Sequence, residues 1–311
     1  MNQAQRDAVF AGEFPADLSG EAIRLKTRLP EFHNLRDAFR YNQSKTAPVV
    51  NVYFNAKFSQ TSIHRKNSPV HQIILTEALA QLKNRLRSPG RFGFISGSSI
   101  ETHLPVPDFY IGYRDKGPGR EPRPIFALEV GFSEPRASLE KCVKDLLTTK
   151  TRYVNAAVLV DVKETPSYQN PLPKPVNQKF CDDILQKDPE ALLAEETYLE
   201  DPSDMQSPLF RFGVRWVGRM RGSAQVWTRD PESQKPIPGE QVIFFGPDAQ
   251  PNPRLRLKLS DFVPSDAEEF KEEFAFDCTD WADGIDFARW ELARQRSKVA
   301  VNSLREASGK K

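Results

Sequence analysis

Two carboxylates near the middle of the chain are the side chains best suited to chemistry. Glu129 interrupts the apolar run "PIFALEVG" (124–131), and Asp108 stands in "VPDFYIGY" (106–113). A charged side chain is seldom buried unless something pairs with it, so a glutamate inside a core-like run asks for a partner. Side chains alternate across an extended strand. Ala127, Glu129 and Gly131 therefore share one face of their strand, and Val106, Asp108 and Tyr110 share one face of the other. The polar Gly/Pro stretch "RDKGPGREPR" (114–123) between them reads as a turn, which makes the two strands hairpin neighbours. Asp108 and Glu129 then come close enough to share a cation. Two carboxylates in a dry site repel unless a proton or a metal intervenes. Mg²⁺ or Mn²⁺ suits such a pair, because Mg²⁺ combines one or two carboxylates with water and substrate phosphates. The competing reading places each carboxylate at an exposed strand end, bonded to backbone or arginine.

Cations form a second pattern. In "FRFGVRWVGRMRG" the arginines Arg211, Arg215, Arg219 and Arg221 fall on odd positions, opposite Phe210, Phe212, Val214, Trp216 and Met220. "RLRLKL" repeats it, with Arg254, Arg256 and Lys258 opposed to Leu255, Leu257 and Leu259. Two such strands side by side would give a sheet with one apolar and one positive face, able to hold phosphates without reading bases. The alternatives are a solvated face, or pairing with the acidic run at 261–286, which has ten Asp/Glu against one Lys. The four histidines are scattered, with no HExxH and no Cys/His ligand spacing. His71, near a helix start, can approach the carboxylates or serve as a cap or surface residue. No GxxxxGK[ST] loop or GxSxG elbow is present, and Cys142 reads as core.

These residues need elements to position them. "SPVHQIILTEALAQLKNRL" (68–86) predicts a helix, with Ser68 as cap, Pro69 in the first turn and Ile73, Leu75, Leu79, Leu82 and Leu86 as its apolar face. Extended pieces follow at 91–97, 106–113 and 124–131. "SEPRASLEKCVKDLLTTKTRY" predicts a helix with Leu139, Val143 and Leu146 inward, and "NAAVLVDVKE" (155–164) a buried strand. Strand, helix and strand make a right-handed crossover, so the expected fold class is α/β with a mixed sheet. Residues 1–60 read as an amino-terminal arm with a short helix at 31–43. Residues 61–311 read as the main domain, with a core at 68–164 and a Pro-rich, acidic insertion at 165–207. A strand-rich extension at 208–262 and a charged tail follow; 287–311 carry seven Lys/Arg against two Glu, on an expected helix from about 284 to 305.

The order helix, strand, strand with "PD", strand with a glutamate, helix and apolar strand resembles the PD-(D/E)XK, or restriction-endonuclease-like, nuclease superfamily. "PDFYIGYRDKGPGREPRPIFALEVGFSEPRASLEKCVKDLL" is similar in particular to a divergent fungal branch. The resemblance covers about 95 residues. It implies a restriction-endonuclease-like core with helices flanking the sheet, additional carboxy-terminal antiparallel strands and a terminal helix. It also implies Mg²⁺ on Asp108 and Glu129, with Glu77 of the first helix joining them, and a phosphodiesterase acting on DNA or RNA. Where the family keeps a catalytic lysine, two residues after the glutamate, this chain has Gly131. Lys163, Lys141 and Lys144 are the available substitutes, Lys163 foremost. The other outcome is an inactive scaffold that binds nucleic acid or protein.

Composition limits the wider choices. The chain has 311 residues with 39% hydrophobic and 28% charged, enough for a substantial core, and its formal charge of +2 does not argue for nucleic acid. Three spaced cysteines without a CxxC pair point away from a disulfide scaffold, and no apolar run suits a signal peptide or membrane span. The expectation is an intracellular protein, nuclear or cytoplasmic, with its oligomeric state open.

Overall fold

A computed structural model describes residues 3–10, 22–43, 50–55, 60–65, 68–86, 92–96, 107–114, 122–148, 154–172, 178–187, 194–230, 232–263 and 273–309. The chain opens with α1 (Gln3–Phe10), β1 (Ala22–Lys26), α2 (Leu29–Gln43), β2 (Val50–Asn55) and β3 (Gln60–Arg65). The three strands form an antiparallel sheet in the order β1-β3-β2. Part of the expected amino-terminal arm, residues 22–26, is a strand, five residues long, with Leu25 buried and Lys26 exposed.

α3 (Pro69–Arg85) begins as its sequence predicts: the Ser68 side chain accepts from the backbone N–H of His71, and proline occupies the first turn. Its buried side chains are Val70, His71, Ile74, Ala78 and Leu82; of the stripe read from the sequence Leu82 and Leu86 are buried, while Ile73, Leu75 and Leu79 are half-buried. The reason is that α3 packs between the central sheet and a carboxy-terminal helix, so more than one side is covered.

Next come β4 (Phe92–Ser96), β5 (Phe109–Tyr113), β6 (Arg123–Phe132), α4 (Arg136–Thr148) and β7 (Ala156–Thr165). The chain continues through α5 (Gln178–Gln186), β8 (Tyr198–Leu199), β9 (Leu209–Arg211), β10 (Val214–Val217), β11 (Arg219–Arg229) and β12 (Pro236–Phe245). The central sheet has six strands in the order β12-β11-β7-β6-β5-β4. β5 and β6 pair as an antiparallel hairpin, while β6 and β7 are parallel and joined through α4. The sheet is thus mixed, with α4 over one face. On that face Tyr110, Ala127, Leu159 and Trp227 meet Leu139, Val143 and Leu146 of the helix. The opposite face, with Phe126, Leu128, Val158 and Val160, belongs to the larger core with α3 and the terminal elements.

Those terminal elements are β13 (Arg254–Lys258), β14 (Glu273–Asp277) and α6 (Cys278–Ala307). α6 is 30 residues long and starts six residues before the expected 284. The side-chain oxygen of Asp277 accepts the N–H of Thr279 at 3.0 Å, and Gln81 of α3 bonds both the N–H and the carbonyl of Asp277 at 2.8 and 2.9 Å. α6 crosses α3 closely at Gly284, where a Cβ would stand 2.6 Å from Ile73. Among the described residues no helix is long and apolar enough to cross a membrane.

Candidate functional site

The β5–β6 register pairs Phe109 with Leu128 and Tyr110 with Ala127. Continued by one residue, it sets Asp108 opposite Glu129, so the hairpin brings together the carboxylates singled out in the sequence. Their surroundings differ. Asp108 lies just before β5, and its Oδ2 accepts the backbone N–H of Val130 at 2.8 Å. The same oxygen is 3.0 Å from Nε2 of His71, whose side chain is 4% exposed against 22% for Asp108. Glu129, 8% exposed, stands in the middle of β6 on the α4 side, and its Oε2 has no hydrogen-bond partner among the described residues. Burial, then the nearby charges of Asp108 and Glu134, hold its carboxyl well above the usual carboxylate range. A hydrogen bond from Cys142 and the proximity of His71 act the other way. Burial, with Cys142 and Glu129 alongside, likewise pushes the Tyr110 phenol up.

Gly131 owes its identity to α4. A Cβ there would lie 2.2, 2.7 and 2.9 Å from three carbons of the fully buried Leu139 side chain. The space that a side chain at 131 would enter is already filled. The parallel register places Leu159 beside Glu129 and Asp161 beside Gly131. Lys163 is four residues past Leu159, about 13 Å along the strand. Its amine forms an ion pair with Oδ1 of Asp161 at 2.9 Å and donates to the carbonyl of Glu134. Lys141 pairs with Asp145, and Lys144 pairs with Glu140 while lying over the Trp227 ring. Glu77 is half-buried and six residues beyond His71 on α3, about 9 Å along the helix axis. Asp108 and Glu129 are therefore adjacent, while Lys163 is engaged with Asp161 and Glu134. Among the described residues, no group of three or more His, Cys, Asp or Glu is arranged to hold a metal ion.

The expected positive face divides. "FRFGVRWVGRMRG" is not one strand: Phe212 and Gly213 turn the chain with φ of 55° and 73°, and β9 and β10 lie outside the central sheet, in a small antiparallel sheet of order β10-β9-β8. Arg211 is consequently buried, 2% exposed, donating to the carbonyl of Glu195 and the hydroxyl of Ser297; its place on a phosphate-holding surface is corrected by this burial. Arg215 is exposed on the small sheet. Arg219 pairs with Asp204 at 2.6 Å and Arg221 with Asp248 at 3.3 Å. Arg254, Arg256 and Lys258 do alternate with buried leucines, but their strand pairs with β14 of the acidic run. Arg254 stands opposite Asp277 and Lys258 opposite Glu273, so opposite charges face one another across the ladder.

His71, Leu139 and Cys142 complete the surroundings of the pair, and only His71 had been placed near it from the sequence. Leu139 and Cys142 carried the ordinary signal of a helix face; the clue to Leu139 was Gly131 itself. No protein-family model matches the chain, and neither curated proteins nor solved structures provide a match.

Proposed function

We propose that this chain is a restriction-endonuclease-like protein that keeps the nuclease scaffold without turnover and acts by binding. The element order supports the fold: α3, the β4–β5–β6 strands, α4 and β7 follow the succession of the resemblance, around an Asp108–Glu129 pair. The observation that carries the absence of turnover is Leu139, packed where a side chain at position 131 would have to go. A catalytic lysine cannot be accommodated there without displacing a core leucine, and Lys163 is engaged with Asp161 and Glu134. Internal pairing of Arg211, Arg219 and Arg254 favours a protein partner over nucleic acid.

The direct test is purified protein with Mg²⁺ or Mn²⁺ on single- and double-stranded DNA and RNA. No cleavage is expected. Cleavage that disappears in both Asp108→Ala and Glu129→Ala would overturn the proposal and establish the second reading, a metal-dependent phosphodiesterase. The opposition of Asp108 and Glu129 is the observation in that reading's favour. Oligonucleotide binding, followed by fluorescence anisotropy, is expected to be weak at physiological salt and unaffected by Arg211→Gln except through stability.

A further inference from the structure

The carboxylate pair has the outline of a cation site and the bonding of a structural one. Magnesium and manganese would draw on free carboxylate oxygens and retained water. Here Oδ2 of Asp108 accepts from the Val130 N–H at 2.8 Å and lies 3.0 Å from His71 Nε2. For a carboxylate acceptor that nitrogen must carry the hydrogen, so His71 is the donor. His71 is also fixed in position. It lies in the first turn of α3, its backbone N–H tied to the Ser68 cap and its side chain 4% exposed. Across the pair, Glu129 is buried beneath α4 and bonded by Cys142. These residues do not fit a divalent cation as they are folded.

We infer that His71 occupies, with an N–H donor, the place a divalent cation would take at the Asp108–Glu129 pair, so the native site is metal-independent and a latent metal site lies beneath that histidine. The inference rests on the non-catalytic reading above and adds what replaced the metal. It depends on the donor at His71, because removing the imidazole takes one of the contacts from Oδ2 of Asp108, leaving that of the Val130 N–H, and opens space on the side of α3 beside an already opposed carboxyl.

The test uses the full chain and MnCl₂ alone as probe, with thermal melting and the Mn²⁺ electron paramagnetic resonance signal as readouts. Wild type is expected to show no Mn²⁺-dependent shift in melting temperature. His71→Ala is expected to melt lower, to be restabilised by Mn²⁺, and to bind Mn²⁺ about tenfold or more tighter than wild type. His71→Ala/Asp108→Asn should lose that response, and His71→Gln, which keeps an N–H donor, should remain insensitive. Mn²⁺ binding by wild type that Asp108→Asn abolishes would overturn the inference, as would a folded His71→Ala protein indifferent to Mn²⁺. If His71→Ala does not fold, the wild-type and His71→Gln titrations decide: insensitivity of both supports the inference, and Asp108-dependent binding by either refutes it. Cleavage of nucleic acid by wild type would defeat the proposed function, whereas Mn²⁺ binding by a protein that cleaves nothing would defeat this inference alone.

Discussion

Glu129 shows how one side chain can lower the stability of the fold it sits in. Its carboxyl releases a proton near the ordinary value of 4.5 in the unfolded chain and only at higher pH in the folded one. Folding therefore takes up a proton between those two values, and stability falls as pH rises through that window. Glu129→Gln, which keeps the volume and removes the titration, should match wild type below the window, gain on it through the window and keep a constant excess above it. Urea melts at a series of pH values check this; parallel curves for the two proteins would refute it. Gly131 makes the complementary point about space. Gly131→Ala forces a methyl against Leu139 and is expected to cost about 1–3 kcal/mol by overpacking. Asp108 and Glu129 were legible as a pair because strand alternation and a Gly/Pro turn are local signals. Leu139 was not, since nothing in a helix's apolar stripe tells which carbon will meet which glycine.

At the scale of elements, arginines from late in the chain tie loops to the framework. Arg296 of α6 holds Glu164 at the end of β7 through two bonds of 2.8 Å, and its guanidinium also donates to the Trp216 carbonyl and lies 4.0 Å from the Tyr168 ring centre. Glu164 also accepts the N–H of Gly218 at 2.7 Å. Arg296→Ala leaves a buried carboxylate with one fewer partner and should cost about 3–5 kcal/mol, visible as a lower urea midpoint. Arg289 likewise donates to the carbonyls of Met205, Gln206 and Ser207, which fixes the end of the insertion. The β5–β6 hairpin and the β6–α4–β7 crossover could be read from the sequence because each joins neighbours along the chain. The break at Phe212–Gly213 was hidden by an alternation that continued through it. The pairing of β13 with β14 spans residues whose contact is set by tertiary packing, and the alternation of charges left two partners open.

Across the whole molecule, α6 is the common wall. It touches α3, α5, β9, β10, β12 and β13, and Trp281, Ile285, Ala288 and Leu292 enter the larger core. Removal of residues 278–311 should abolish cooperative unfolding rather than trim a tail. Loss of the sigmoidal transition in near-ultraviolet circular dichroism tests this; a truncated chain that melts like the intact one would contradict it. The crossing at Gly284 has a temporal consequence. α3 is made early and its cover late, so during synthesis Ile73 lacks the crossing at Gly284, and Phe244 lacks Trp281, until about two hundred residues have followed α3. Translation of this chain thus leaves a waiting period before that part of the core can close.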